Sequence, residues 1–291
     1  MGRDLKKPVD PKWVSEIIGR EYCGSYGKIT RIDSATEAKA GSLCFIKNKS
    51  WARNLPQECI AIGSREDLDG VGKNLIFSDS PRLDFARLLA VLDAQVGFVW
   101  SNCKPQIHPT VRMGVNVVIG HGSKIGASTI IGNNVVIGPE VVIGERCNIK
   151  SCAVIGEDGF GFERDQGGTA VRLPHVGTVI IGSDVEIGSL TTVCRGTLAN
   201  TVISNGVKID DHVHIAHNVF IDEHVFVIAC AELSGGVKVG KRAWIAPGAS
   251  VLNQITVGDD AIVGLGAVVI RDVEAGGTVI GNPAKILVPR N

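Results

Sequence analysis

Three of the seven histidines crowd into one short stretch, DDHVHIAHN, at His212, His214 and His217. An imidazole titrates near neutrality, so each is a candidate for taking a proton from an amine or a hydroxyl. Spacing separates them. Eighteen residues beyond His217 stands Gly235, in ELSGGVKVG, and a further eighteen on stands Asn253. In a chain that coils every eighteen residues these three stack on one corner. A glycine there bares its backbone N–H, which can donate to a developing oxyanion. A base stacked beside such a donor is what acyl transfer requires.

The eighteen-residue coil is written in the sequence. An aliphatic residue recurs every six positions at Met113, Ile119, Ile125, Ile131, Ile137, Ile143, Ile149 and Ile155. The phase breaks, resumes at Ile181, Ile187 and Val193, breaks once more, and runs from Ile203 through Ile209, Ile215, Ile221, Val227 and Leu233 to Val269. A period of six fits neither a heptad nor an amphipathic strand. It fits a parallel β-solenoid whose coil has three six-residue sides, with the aliphatic residue pointing inward. The small residue after each aliphatic, most often Gly, is expected to turn the corner with positive φ.

Composition agrees with such a scaffold. The chain has 291 residues, of which 44% are hydrophobic but only 5% aromatic, and 36 are glycine. It carries 30 Lys+Arg against 30 Asp+Glu, and this balance argues against a nucleic-acid partner. The eight cysteines form no CxxC pair and read as reduced thiols. No signal peptide opens the chain, and no apolar run approaches the roughly 18 residues of a membrane span. A soluble, cytoplasmic protein is expected, with no integral membrane association.

Residues 1–100 lack the repeat. Asp10-Pro11 caps a short helix carrying Trp13, Ile17 and Ile18, with Gly19 ending it, and Ser80-Pro81 opens a second helix with Leu83, Leu89 and Leu92 among its apolar residues. SLCFI and ECIAIG read as strands between them. The organisation expected is therefore mainly β: a small α/β domain at 1–100, a β-helix at 101–273 and a tail at 274–291. The polar, Gly-rich stretch 157–178 reads as a projecting loop.

The segment GEDGFGF, with VIIGSDVEIGSLTTVCRGTLANTVISNGVKIDDHVHIAHNVFI downstream of it, closely resembles the UDP-3-O-(3-hydroxyacyl)glucosamine N-acyltransferases of lipid A biosynthesis, within the hexapeptide-repeat acyltransferases. DSATEAKAGSLCFIKNKSW resembles that family's uridine-binding segment. The resemblance implies a left-handed parallel β-helix, although general strand–crossover chirality favours the right hand. It implies a homotrimer working on a UDP-linked amino sugar for lipopolysaccharide. His217 would be the general base and the Gly235 amide the oxyanion donor. Phe45 and Asn48 would hold the uracil, with Trp51 where the family usually has Tyr. Asn218 and Asn253 are expected to contact substrate. No bound cofactor or metal is implied. The co-substrate is an acyl thioester, carried by acyl carrier protein or coenzyme A.

Three departures bear on the donor. The family's second histidine is replaced by Asn253 and Gln254. Cys194 stands for the Asp of a DRG element before Arg195-Gly196. The ending GNPAK, 281–285, is similar to that of hexapeptide acetyltransferases using coenzyme A, where the lipid A enzymes carry a helical extension that grips acyl carrier protein. A 3-hydroxyacyl carrier protein is the leading donor, and acetyl coenzyme A is the alternative. A remoter reading is a zinc enzyme like the gamma-class carbonic anhydrases, with His212 and His217 five residues apart and His175 as third ligand.

Overall fold

The computed structural model describes residues 2–25, 27–52, 54–71 and 74–287. From Gln106 onward the six-residue units fold as strands of two to four residues joined by short corners. Strands an eighteen-residue step apart pair in parallel, as Lys124 with Val142 and Ile125 with Ile143. Three stacked faces result. Face one runs from Gln106–Ile107 to Thr256–Val257, face two from Arg112–Met113 to Thr278–Ile280, and face three from Val118–Ile119 to Val268–Val269. The coil is left-handed, as the resemblance implied. The aliphatic ladder is its core: Ile149, Ile155, Ile187, Ile203, Ile215, Leu233 and Val251 are sealed from solvent. Burying each such side chain is worth about 1.5–3 kcal/mol, and a second sealed row two residues earlier, with Val135, Val141, Val207, Val219 and Val237, packs beside it.

The corner differs from expectation. Except at Gly156, where the first enlargement begins, the glycine directly after the aliphatic residue does not take positive φ. That conformation falls three residues after the aliphatic position, at Asn134, Glu140, Arg146, Leu190, His212, Asn218, His224 and Gln254, with φ between 55° and 64°. The glycines are needed for closeness instead. A Cβ on Gly132 would lie 2.5 Å from the backbone nitrogen of Ser151 in the next coil, and one on Gly126 would lie 2.6 Å from the Gly144 carbonyl carbon. Coils stack too tightly there for a side chain, whereas the left-handed position faces outward and accepts almost any residue.

The coil is enlarged twice, each time at the corner between faces three and one. The step from Val154 to Thr192 spans 38 residues and the step from Thr192 to His214 spans 22. The first enlargement is ordered. In place of an irregular loop, Phe162–Arg164 and Ala170–Arg172 form an antiparallel hairpin. Residues Phe160–Gly177 and Thr197–Ala199 group with the N-terminal unit, Met1–Val99, and the rest of the chain forms the other unit.

The N-terminal unit is a six-stranded sheet built from β1 (Arg3–Val9), β2 (Tyr22–Cys23), β3 (Ile29–Ile32), β4 (Ser42–Phe45), β5 (Ile60–Gly63) and β6 (Leu75–Phe77), in the order β1-β3-β4-β5-β6-β2. The central pairs β3–β4, β4–β5 and β5–β6 are parallel. Asp10 does cap helix α1 (Pro11–Ile17), accepting from the Lys12 N–H, and Gly19 comes next with φ 63°. α1 buries Val14 and Ser15, leaving Trp13, Ile17 and Ile18 only partly covered. Two short helices come after it, α2 (Lys49–Ala52) and α3 (Arg65–Leu68), then α4 (Pro81–Gln95), which buries Phe85, Leu88, Leu89 and Leu92. Among the described residues no helix is long and apolar enough to cross a membrane. In face two, Thr278–Ile280 pairs with Ile262–Val263 and then turns back on Lys285–Ile286. Residues 288–291 of the expected tail lie outside the described residues.

Candidate active site

The corner between faces three and one carries His217 and Asn218 in one coil, Gly235 and Gly236 in the next, and Asn253 and Gln254 in the one after. Backbone bonds lock the stack: Gly236 N–H donates to His217 O at 2.9 Å and Gln254 N–H to Gly235 O at 3.0 Å. The half-buried His217 ring lies directly over Gly235. A Cβ on Gly235 would sit 2.5 Å from His217 Cε1 and 2.8 Å from Nε2. Glycine at 235 is therefore what makes room for the imidazole, a role that spacing alone does not assign to it.

His217 Nδ1 lies 3.1 Å from Asn218 Oδ1. An amide oxygen only accepts, so Nδ1 carries the proton and Nε2 keeps its lone pair. Asn218 thus sets the tautomer of the imidazole.

At several other corners, though not at every one, the amide is capped by the next coil. The N–H groups of Val115, Ser183, Ser189 and Lys241 donate to side-chain oxygens of Asn133, Asn205, Asp211 and Asp259 at 2.6–2.9 Å. Gly235 occupies the same position in its coil, and among the described residues no acceptor meets its N–H. Its counterpart one coil on is Asn253, whose side chain is exposed. A part-buried N–H without an acceptor, next to an imidazole with a basic nitrogen, can receive negative charge on an oxygen while the base takes a proton.

The other two histidines of the cluster sit elsewhere. His212 is at the corner between faces two and three, its N–H bonded to Ser189 O at 3.0 Å. His214 points out of face three with Nδ1 2.7 Å from Thr192 Oγ1. Five residues of separation place His212 and His217 at opposite ends of one side of the coil. His175 is buried in the other unit, Nδ1 3.1 Å from Leu173 O. Among the described residues no three His, Cys, Asp or Glu side chains are grouped to hold a metal.

At the second enlarged corner Arg195 is buried, its Nε reaching back to donate to Gly156 O in the first at 2.7 Å and its guanidinium lying 5.3 Å from the centre of the Trp100 ring. An acidic group does approach Arg195: Asp158, 3.7 Å from its Nε. The pairing of Glu157 with Cys194 on face three brings it there, a register hidden in sequence by the 38-residue step. Burial, assisted by Asp158 and Glu157, pushes the Cys194 thiol up to about 11.

In the N-terminal unit, Phe45, Asn48 and Trp51 lie along the turn from β4 into α2. The Phe45 ring is half-exposed and tilts against Phe85 at 5.1 Å. Asn48 heads α2: its Oδ1 accepts from Ser50 Oγ at 2.5 Å and from the Trp51 N–H at 3.3 Å. Only its amide N–H groups are left for a ligand. Trp51 is 37% exposed, so core packing accounts for one edge of Phe45 and not for Trp51. A cavity of about 530 Å³ in this unit is lined by Lys49, Ala52, Cys59 and Asp69 among others, and takes in none of the three.

Residues 122–157 match the bacterial transferase hexapeptide (six repeats). The UDP-3-O-acylglucosamine N-acyltransferase of Coxiella burnetii (strain RSA 493 / Nine Mile phase I) is 38% identical over 271 residues, covering 83% of this chain and 79% of its own. The chain belongs to this N-acyltransferase family. Its relative from Janthinobacterium sp. (strain Marseille) is 40% identical over 133 residues, which is 46% of this chain and 38% of that one. Among solved structures, LpxA of Acinetobacter baumannii overlays with a TM-score of 0.58 at 22% identity, covering 65% of this chain and 71% of that one; it shares the fold. The UDP-N-acetylglucosamine acyltransferase of Francisella novicida overlays with a TM-score of 0.56 at 26% identity, covering 62% and 64%. Membership of the N-acyltransferase family places the His217 corner on a scaffold used for acyl transfer.

Proposed function

We propose that this enzyme acylates the amine of a UDP-linked amino sugar, using the thioester of a 3-hydroxyacyl carrier protein, at the corner formed by His217 and Gly235. The observation that carries the reading is the imidazole of His217 stacked on Gly235, whose own amide stands open. The sugar nitrogen attacks the thioester carbonyl carbon and a C–N bond forms. The carbonyl oxygen takes up negative charge and draws on the Gly235 N–H. His217 Nε2 accepts the proton leaving the nitrogen. The C–S bond then breaks, and the proton passes from His217 to the departing sulfur. Position, base and donor suffice for this chemistry.

Asn218 holds the productive tautomer, and exposed Asn253 meets the substrate one coil beyond the donor. Phe45 and Trp51 supply faces for the uracil, and the Asn48 amide N–H groups a donor to its carbonyl oxygens. A homotrimer is the working assembly in this reading. Phe226, Trp244 and Ile262 stack outward on face two, each 41–44% exposed, and a second copy would cover them. In this reading the reaction belongs to lipid A biosynthesis and runs in the cytoplasm, where nucleotide-linked sugars are at hand.

Mass spectrometry of a UDP-amino-sugar panel incubated with protein and donor tests the reading. A mass gain of one hydroxyacyl group with acyl carrier protein supports it. A gain of one acetyl group with coenzyme A alone would assign the short donor instead. No gain with either would refute acyl transfer to this acceptor class.

A further inference from the structure

The corner at His217 is held differently from its neighbours. In successive coils, the N–H of the left-handed corner residue donates to a carbonyl of the preceding coil. Thus Asn134 donates to Val115 O, Arg146 to Ala127 O, His224 to Asn205 O, Gly236 to His217 O and Arg242 to Glu223 O, at 2.8–3.1 Å. Two of the described corners use a side-chain hydroxyl. One is in the first coils, where exposed Ser128 N–H reaches Thr110 Oγ1. The other is at the candidate active site, where Asn218 N–H donates to Thr201 Oγ1 at 2.9 Å.

The cause is visible in the register. By the pattern, the carbonyl for Asn218 belongs to Arg195. The four extra residues of the 22-residue step fall between Cys194 and Thr201, so the chain is lengthened just where that carbonyl is needed. Thr201 is completely buried, at an inward position filled in other coils by Val135, Val185, Val207 or Val219. A hydroxyl there carries a desolvation penalty unless bonded. Other buried hydroxyls at this position tie down core strands, as Thr129 does for the Cys147 N–H at 3.2 Å. Only Thr201 among them bonds the residue that in turn bonds the His217 ring.

We propose that Thr201 is a positioning residue for catalysis, fixing Asn218 in the left-handed conformation from which its side chain sets the tautomer and direction of His217. The inference rests on His217 being the base. The chain of contacts is continuous: Thr201 Oγ1 to Asn218 N, then Asn218 Oδ1 to His217 Nδ1, then the His217 ring to Gly235. Removing the first link lets the corner relax. A shift of about 1 Å in a catalytic group costs on the order of 100-fold in rate. Because Thr201 touches no substrate, its loss should appear in kcat and leave KM for the sugar unchanged.

The test compares Thr201→Val, Thr201→Ser, Thr129→Val and His217→Ala in steady-state acyl transfer, with melting temperature measured for each. Thr201→Val is expected to lose about 10- to 100-fold in kcat at unchanged KM. Thr201→Ser, which keeps the oxygen, should stay within about 3-fold of the parent. Thr129→Val removes a comparable buried hydroxyl away from the site, so it should cost stability and leave kcat alone. Full kcat in Thr201→Val, or an equal kcat loss in Thr129→Val, overturns the positioning role. Full activity in His217→Ala instead overturns the base assignment, and so separates the two failures. If the valine variant does not fold, Thr201→Ala, which removes the hydroxyl without adding bulk, enters the same comparison under the same criteria.

Discussion

Gly235→Ala is the sharpest probe of the stacked corner. Gly235 does not have positive φ, so alanine meets no backbone strain, and its N–H remains where it was. The change is one methyl carbon, 2.5 Å from His217 Cε1 and 2.8 Å from Nε2. Carbon atoms rest about 3.5–4.0 Å apart, so the ring must retreat by about 1 Å. That displacement costs on the order of 100-fold in kcat, or about 2.7 kcal/mol of transition-state stabilisation. The ring sits at the half-exposed end of a side chain and can yield, so the core is untouched and the melting temperature should hold within about 3 °C. The assay is steady-state transfer with sugar and donor varied in turn, alongside thermal melting. The expected result is a fall in kcat with little change in KM for the sugar and intact folding. Activity within about 3-fold of the parent in a folded variant would refute the geometry, because an imidazole pushed off Gly235 would then be shown to matter little.

Other expectations are independent of that one. His217→Ala should lower kcat by about 100- to 10,000-fold while sedimentation and melting stay those of the parent. Trp51→Ala should weaken the UDP-sugar by about 1–3 kcal/mol, the usual worth of a base on an aromatic ring, read as a rise in KM with kcat preserved. Gly132→Ala brings a Cβ within 2.5 Å of Ser151 backbone and should destabilise the coil by about 1–3 kcal/mol, measured by denaturant unfolding. Cys194, its thiol raised to about 11 by burial and by Asp158 and Glu157, stays protonated at pH 8 and should resist alkylation there, while exposed Cys23, Cys103 and Cys230 react. Peptide mapping after maleimide treatment checks it.

The coil was legible because its signal is periodic: one buried aliphatic residue every six positions leaves little choice of fold. The alignment of His217 with Gly235 came from the same count. The corner conformation lies two residues beyond the glycine that the pattern points to, because glycine serves two needs and the sequence does not say which. Closeness between coils, as at Gly126 and Gly132, places it after the aliphatic residue, while positive φ is tolerated by Asn, Glu, Arg and Leu alike. The hairpin at 162–172 leaves no mark in the sequence because its strands are only three residues long and lack alternating apolar residues. Asp158 beside Arg195, and Thr201 beneath Asn218, were hidden for a common reason. Both depend on where an enlarged coil regains register, which residue spacing alone does not reveal.

Both enlargements of the coil leave from the corner that goes on to hold His217, and this governs how the chain tolerates added or lost length. Each residue on a corner finds its neighbours one coil away, about 4.8 Å along the axis. Added residues are silent to the three faces when they are thrown out at a corner, as the 20 and the 4 extra residues are before Val179 and Thr201. Removing six residues inside the run from Ile203 to Val269 would keep every aliphatic side chain inward yet rotate all downstream strands onto the next face, parting Gly235 from His217 if the cut fell between them. Removing eighteen would restore the corner but put Asn253 where Gly235 had been. The fold therefore survives changes in steps of six, whereas the paired base and amide survive none between residues 217 and 235. A deletion series between residues 217 and 235, read by melting and by turnover, would show a six-residue period in stability and none in activity.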